Sequence, residues 1–207
     1  MKHRRKLLIL VLTVLILLIT LFAFLFEHYA MPVAYQLAKE DCITRVNQTL
    51  TSALNETIAA KSITQKDLYT PYFDQSNRLT YLEVNSLAVN ALCAETASKL
   101  SEDLNSMSSN AIKLPLGAIT DIHLFSHTGP HIPIYLTPSG SAVADYETSL
   151  ENAGINQVNF KVWLVAEIEM GIVNPFLDKR IKITRKIMLV NTLFSGEVPE
   201  NFYGIRN

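Results

Sequence analysis

The sequence predicts an α+β fold: a single N-terminal transmembrane helix continuing into a long helix, then a domain of two helices packed on an antiparallel sheet of about four to six strands. Twenty consecutive residues near the N-terminus carry no charge, glycine or proline. Apolar residues then recur at spacings of three and four, as on a helix face, and later alternate with polar residues. One-sided alternation is typical of antiparallel sheets, which favours this class over a doubly wound parallel sheet.

The apolar run from Leu7 to Phe26 is predicted to span a membrane. As a helix it reaches about 30 Å, the thickness of a bilayer's hydrocarbon core. Basic residues at positions 2, 4, 5 and 6 precede it and Glu27 follows it, and basic flanks stay in the cytoplasm. A cleaved signal peptide is the alternative, but its apolar core is shorter, about 7 to 15 residues, and a small-residue cleavage site follows it.

These flanks predict a single-pass protein of the cell membrane with a cytoplasmic N-terminus and an extracytoplasmic C-terminal domain. Residues 1–6 form a cytoplasmic basic tail, residues 7–26 contact membrane lipid as the transmembrane helix, residues 27–42 form a stalk helix, and residues 43–207 form the domain.

Two long helices are predicted after the span. The first extends from about Met31 to Ala60 with Pro32 near its start, and the second is capped by Asn85 or Ser86 and ends near Ser106. Their apolar stripes are Ile43, Val46, Leu50, Ala53, Leu54, Thr57 and Ile58, and Val89, Leu92, Thr96, Leu100 and Leu104. A short hairpin over residues 68–84 joins the two helices.

The remainder of the chain is predicted to form strands. Residues 112–122 favour an irregular edge or loop, and residues 132–136 and 142–146 favour a hairpin that turns at residues 137–140. The longest strand covers residues 158–172 with its even-numbered residues buried, and residues 181–189 form the last strand. Arg185 falls on the apolar face of that last strand, which predicts a bulge around Arg185 and Lys186.

Composition excludes nucleic acid as a main partner. Four of the 18 Lys and Arg residues precede the span and all 19 Asp and Glu residues follow it, so the external part has a net charge of −5. Nucleic acids and anionic lipid surfaces are bound through clustered Lys and Arg. Cys42 and Cys93 fall in the predicted helices, where two buried thiols are favoured over a disulfide bridge.

No catalytic, cofactor-binding or metal-binding residue is predicted. His123, His127 and His131 are spaced by four, which on a helix would place all three on one face to bind a metal ion. Gly129, Pro130 and Pro133, in and next to this segment, disfavour such a helix. The run Ser139-Gly-Ser141 reads as a turn rather than a nucleophile elbow. Glu167 and Glu169, on one face of the long strand, are predicted to be solvated.

Trp163 lies on the more polar face of the long strand. If exposed within an apolar patch, it would mark a surface that contacts a partner.

Five short motifs resemble the YunB family of sporulation proteins. They are LPLG at 114–117, GPHIPI at 129–134, PSGS at 138–141, AGINQ at 153–157 and GEVPENFY at 196–203. In the family a Thr and then a His two residues later usually follow AGINQ, whereas Val158 and Phe160 stand here. The resemblance implies a membrane-anchored protein that is made during sporulation, contributes to spore formation and has no known reaction.

The motif residues predicted to serve as structural or interaction sites are Gly129, Pro130, Gly154, Ile155, Asn156 and Gln157. For residues 154–157 a tight turn that fixes the register of the long strand is favoured over ligand binding.

The predicted function is a noncatalytic interaction or scaffold protein that contacts other envelope or sporulation proteins. A pilin-like assembly subunit and an extracytoplasmic ligand-binding domain are the alternatives. Type IV pilins carry Gly before the apolar run and Glu a few residues into it. Here Lys6 precedes the run and no acid occurs before Glu27.

Overall fold

The structure is a computed structural model that describes residues 2–76, 79–108, 111–119, 128–154, 157–174 and 177–195. It confirms the mixed helix and sheet architecture, with an antiparallel sheet of five strands. Four helices, α1 to α4, and seven strands, β1 to β7, are assigned within these described ranges, and their bounds are given below.

The N-terminal helices run without interruption. Helix α1 covers Lys2–Leu25, a π-helical turn covers Phe26–Ala30, and α2 covers Met31–Lys61. The Met31 N–H donates to the Phe26 carbonyl, which gives the wider π spacing. Pro32, predicted near a helix start, therefore lies inside a continuous helix. A proline ring crowds the preceding turn and removes a donor, so a widened turn directly before Pro32 has a physical cause.

Helix α2 is buried along one stripe from its first residue. The buried residues are Met31, Ala34, Ala38, Cys42, Val46, Thr49, Leu50, Ala53, Leu54 and Thr57. Their spacing of three and four residues places them on one face of the helix. The segment predicted to be a stalk thus has a packed face, formed largely by residues with small side chains.

Strands β1 (Tyr69–Phe73) and β2 (Leu79–Val84) form the predicted antiparallel hairpin. Helix α3 then covers Ser86–Met107, and Asn85 caps it because its side-chain Oδ1 accepts the Ala88 N–H at 3.2 Å. All five residues of the predicted stripe on α3 are buried, together with Cys93. The prediction of this helix and of its buried face is confirmed.

The main sheet contains β3 (Ile112–Pro115), β4 (His131–Pro138), β5 (Val143–Gly154), β6 (Gln157–Asn174) and β7 (Leu177–Ser195), and the short helix α4 (Leu116–Ile119) follows β3. The strand order is β3-β4-β6-β5, and β7 also pairs with β6. Strand β3 with its proline lies at an edge, as the irregular-edge prediction for this region expected.

The predicted hairpin between residues 132–136 and 142–146 is wrong. Strands β4 and β5 both pair with β6 and are not neighbours of each other. The Ser139 N–H donates to the Glu169 carbonyl at 2.9 Å, while Val143 pairs with Glu167. Residues 140–142 therefore lie opposite a single residue of β6, Ile168, and form a bulge. The chain continues along β6 on both sides of this bulge.

The long strand β6 buries every even-numbered residue from Phe160 to Asn174, as predicted for residues 160–172, whereas Val158 is half-buried. In β7, Ile181, Ile183 and Leu189 are buried. Arg185 is exposed, and the alternation of buried and exposed residues does not change phase at this residue. Leu189 and Val190 are buried in succession, so the alternation changes phase there. The predicted bulge around Arg185 and Lys186 stays a prediction, and the burial pattern changes phase a few residues after it.

The chain divides into two compact units. The first comprises Met1–Thr44, Met107–Thr137 and Met170–Ile181, and the second comprises Arg45–Ser106, Pro138–Glu169 and Lys182–Asn207. In the first unit, the Lys179 Nζ lies 4.6 Å from the centre of the Tyr35 ring. The buried hydrophobic residues of the first unit are Met31, Ala34, Ala38, Cys42, Ile134, Leu136, Met170, Ile172 and Ile181.

The second unit holds the larger core. Residues of α2, α3 and β6 are buried there, including Leu50, Leu92 and Leu164. Lys61 and Glu95, and likewise Lys99 and Glu56, form exposed ion pairs between α2 and α3. Such exposed pairs contribute little to stability, so burial of apolar side chains is the main stabilising contribution.

Candidate functional site

The LPLG and GPHIPI motifs are joined through their backbones in the first unit. The Leu116 N–H donates to the Pro130 carbonyl and the Gly117 N–H to the Thr128 carbonyl, each at 2.9 Å. Gly129 has φ +97°, and a Cβ there would lie 3.4 Å from the Leu116 Cβ. Gly129 is therefore needed for its backbone conformation, and Pro130 contributes a carbonyl acceptor.

The AGINQ motif forms the connection between β5 and β6 in the second unit. Gly154 pairs with Gln157 at the end of the ladder, and the register shifts between Asn152 and Gly154. Gly154 has φ +154°, where side chains are strained. Ile155 and Asn156 lie outside the described residues. The described part of this motif closes a hairpin, and a structural or interaction role for the whole motif stays a prediction.

Of the six predicted motif residues, the structure brings Gly154 and Gln157 together and places Gly129 and Pro130 against the LPLG motif. These two sets belong to different compact units. The contacts described for the motif residues are backbone and turn contacts.

Trp163 is half-buried and lies beside an ion pair. It stands opposite Glu147 of β5, and the Lys186 Nζ of β7 lies 2.5 Å from a Glu147 carboxylate oxygen. Because β6 lies between β5 and β7 at this point, the Glu147–Lys186 pair crosses β6 at the level of Trp163. This arrangement does not match the exposed apolar patch that would have marked a partner surface.

The outer face of the sheet carries further ion pairs. Glu167 binds Lys182 and Glu151 binds Lys161, each at 2.7 Å. The Lys161 ammonium, through its hydrogen bond, lowers the pKa of Glu151, and the Glu167 carboxylate likewise raises the pKa of Lys182. Glu167 and Glu169 are exposed, which confirms the prediction of a solvated face.

The other candidate groups stand apart from one another. His131 is exposed in β4, and His123 and His127 lie outside the described residues. Within the described ranges, no group of three or more His, Cys, Asp or Glu residues could hold a metal ion. Cys42 and Cys93 are buried and form no disulfide. Burial, with a smaller contribution from Asp145, raises the pKa of the Cys93 thiol to about 11.

A surface that the sequence analysis missed lies on the β1–β2 hairpin. The Tyr72 and Tyr81 rings stack with centres 4.2 Å apart and planes 14° from parallel, and the Tyr72 hydroxyl donates to Glu83 at 2.9 Å. This hydrogen bond to the Glu83 carboxylate raises the pKa of Tyr72. The alternation of Thr70 with Tyr72, and of Tyr81 with Glu83, was the available signal, because alternate residues of a strand share a face.

The fold and its exposed apolar helix define a class of protein, namely a mixed helix and sheet domain joined to a candidate membrane helix. By length and composition, one helix in the described part of the chain, within Ile9–Lys61, could cross a membrane. Residues 111–201 match the family model described as sporulation protein YunB. The predicted resemblance to this sporulation family is thereby confirmed. No curated protein and no solved structure matches the chain significantly.

Proposed function

We propose that this is a membrane-anchored, noncatalytic sporulation protein whose extracytoplasmic domain binds other envelope or sporulation proteins as a scaffold. The match of residues 111–201 to the YunB family carries the sporulation role. Features of the chain itself support membrane attachment, orientation and protein binding.

The apolar side chains of α1 support membrane attachment. The large hydrophobic residues whose side chains are described between Ile9 and Leu25 are 43% to 65% exposed. Leaving them in water would forfeit about 25 cal/mol for each Å² of apolar surface, whereas lipid would cover them. The basic residues before the span support a cytoplasmic N-terminus.

The proposed domain organisation follows from this anchor. Residues 1–6 are the cytoplasmic tail, 7–26 the span, 27–42 the stalk helix and 43–207 the extracytoplasmic domain, and the stalk helix has a packed face from Met31 onward. Because α1 continues into α2 without a loop, the helix that crosses the membrane also contributes buried residues, beginning with Met31, to the first compact unit.

The contacts of the motif residues support a noncatalytic role. Gly129 and Gly154 adopt positive φ, and Pro130 accepts a backbone hydrogen bond. These are requirements of turns and close chain approach, for which glycine and proline are suited. Such residues shape a surface for a partner without supplying a nucleophile, acid or base.

Crosslinking in sporulating cells, followed by purification of the full chain, tests the scaffold role. We expect a defined set of envelope proteins to be recovered with the wild-type chain. A copy carrying Asn156→Ala and Gln157→Ala is compared with it, and circular dichroism reports whether that copy folds. If the variant folds but no longer recovers the partners, AGINQ is a binding site. If the variant misfolds, AGINQ has a structural role. Recovery of no partner by a folded, membrane-bound wild-type chain would contradict the proposal.

A further inference from the structure

The β1–β2 hairpin has one packed side and one outward side. On the packed side, Tyr69 lies with its ring centre 5.4 Å from that of Phe160 and 6.0 Å from that of Phe194. Paired residues of an antiparallel ladder share a face, and so do residues two apart along a strand. The pairs Thr70–Glu83 and Tyr72–Tyr81 therefore share the outward side.

The stacked tyrosines make that outward side an aromatic platform. Tyr72 is 37% exposed and Tyr81 is 53% exposed, although each is a large, mostly apolar side chain. Their near-parallel stacking holds both rings in place. Pre-positioned aromatic rings supply contact area at a low cost in conformational entropy, which suits them to recognition.

An open hollow of about 390 Å³ lies beside the platform. Thr70, Glu83, Val84, Asn85 and Ser86 line it. Glu83 accepts the Tyr72 hydroxyl, so the hollow and the platform share one hydrogen-bonded pair.

The rim of this hollow offers both donors and acceptors. The Ser86 hydroxyl accepts the Tyr146 hydroxyl at 3.0 Å and keeps its own hydrogen for donation. The Thr70 hydroxyl can donate and accept, and the Glu83 carboxylate can accept more than one bond. Glu83 is the one charged residue among the described residues that line the hollow, and its neutral neighbours supply both donors and acceptors, a set that suits a ligand with many hydroxyl groups.

We propose that the outward side of the β1–β2 hairpin binds a glycan. The apolar C–H face of a sugar ring would stack on Tyr81, and its hydroxyl groups would bond to Glu83, Thr70 and Ser86. The hollow has the size of small ligand sites, about 300 to 1,000 Å³, and its openness to solvent suits one unit of an extended chain.

This site goes beyond the proposed scaffold role. A purified chain should bind a glycan whatever its orientation in the cell, so failure of the site and failure of the proposed topology are separate results.

Titration calorimetry of the full chain in detergent with a tetramer of N-acetylglucosamine tests the proposal, and a glucose tetramer serves as second probe. We expect saturable binding of at least one probe. Tyr81→Ala should weaken it about tenfold, as expected for loss of an aromatic contact. Tyr81→Phe keeps the ring and should bind within about twofold of wild type. Tyr135→Ala removes a tyrosine that is 42% exposed on β4 and should leave binding unchanged.

Glu83→Gln distinguishes loss of a ligand contact from unfolding of the hairpin, because it keeps the size of the side chain and leaves the Tyr72 and Tyr81 rings in place. We expect it to weaken glycan binding while the thermal unfolding curve stays that of wild type. Absence of binding to both tetramers would overturn the proposal, as would equal binding by wild type, Tyr81→Ala and Glu83→Gln. Binding of an oligoarginine peptide in place of the glycans, abolished by Glu83→Gln, would also overturn it and identify a basic partner.

Discussion

Two buried threonines show how one hydroxyl can stabilise a helix core and another can weaken it. The Thr57 hydroxyl of α2 donates to the Ala53 carbonyl at 2.8 Å. The Thr96 hydroxyl of α3 is fully buried and has no hydrogen-bond partner among the described residues. A buried polar group without a partner costs free energy, whereas a bonded one contributes modestly.

Replacing each threonine by valine separates these two cases. Thr96→Val should raise the free energy of unfolding by about 1 kcal/mol because it removes an unsatisfied hydroxyl. Thr57→Val, the matched control, should lower it by about 1 kcal/mol because it removes a hydrogen bond. Urea denaturation of the full chain in mild detergent, followed by circular dichroism, measures both. A larger loss of stability for Thr96→Val than for Thr57→Val would show that Thr96 has a partner.

Gly129 and Gly140 provide a second matched pair at the scale of single residues. Both have φ near +98°, but a Cβ would meet Leu116 at 3.4 Å only at Gly129 and nothing within 4 Å at Gly140. Each change to alanine should destabilise the protein by about 1 to 2 kcal/mol through the backbone conformation. Gly129→Ala should cost somewhat more, because its new methyl group would lie at the close end of van der Waals contact with Leu116. Thermal unfolding in detergent measures both variants, and an unchanged unfolding temperature for Gly129→Ala would contradict the structural role assigned to this motif residue.

At the scale of elements, short polar turns fix how the helices and the hairpin connect. The 3-10 turn Gln65–Asp67 begins with a capping box, in which the Thr64 N–H and hydroxyl both donate to the Asp67 carboxylate at 2.7 Å. The Asn85 side chain then donates to the Asp67 carbonyl and caps α3 as well. One asparagine therefore links this turn to the start of the helix.

The capping box makes a prediction about pH. The hydrogen bond from the Thr64 hydroxyl, followed by that from the Thr64 N–H, lowers the pKa of Asp67. The stabilisation is therefore complete above the ordinary aspartate pKa of about 3.9 and is lost as the pH falls through the lower folded-state pKa. Thr64→Ala should raise the Asp67 pKa in an NMR titration. Its unfolding temperature should lie below that of wild type at pH 7, and the difference should shrink in acid. An unchanged Asp67 pKa in the variant would contradict the capping box.

Elements with a regular pattern of apolar residues over many positions could be predicted from the sequence. Elements whose structure depends on pairing with distant strands could not. The stripe of α3 and the alternation of β6 are local patterns that directly report burial. Residues 137–140 carry turn signals between two alternating segments, and the same signals fit a hairpin or a bulge. The segment forms a bulge because both flanking strands, β4 and β5, pair with β6 and not with each other. The phase change at Leu189 and Val190 likewise depends on the neighbours of β7.

At the scale of the whole molecule, the sequence located the family motifs but not what they contact. It predicted a turn at residues 154–157, and the Gly154–Gln157 pair forms the end of a hairpin. The bond between Leu116 and Pro130 joins distant segments and has no local signal. The packed face of Ala34, Ala38 and Cys42 was also missed, because small side chains give a weak apolar stripe.

The proposed membrane anchor and the domain share one continuous helical segment. The large hydrophobic side chains described in α1 are exposed, Tyr29 in the π-helical turn is 67% exposed, and burial begins at Met31 in the first turn of α2. This change within one turn of the boundary is what a helix leaving a bilayer and entering a folded domain would show. The placement of the domain outside the cytoplasm therefore depends on the orientation of this single helix.

Cysteine labelling in protoplasts of vegetative cells that express the full chain tests that orientation most directly. Cys42 and Cys93 are buried, so a cysteine introduced at an exposed position can be followed alone. Leu87, which is 83% exposed, reports on the domain, and Lys6 reports on the N-terminal tail. With a membrane-impermeant maleimide, we predict that Leu87→Cys is labelled in intact protoplasts and Lys6→Cys only after permeabilisation. Labelling of Lys6→Cys but not of Leu87→Cys in intact protoplasts would contradict the account.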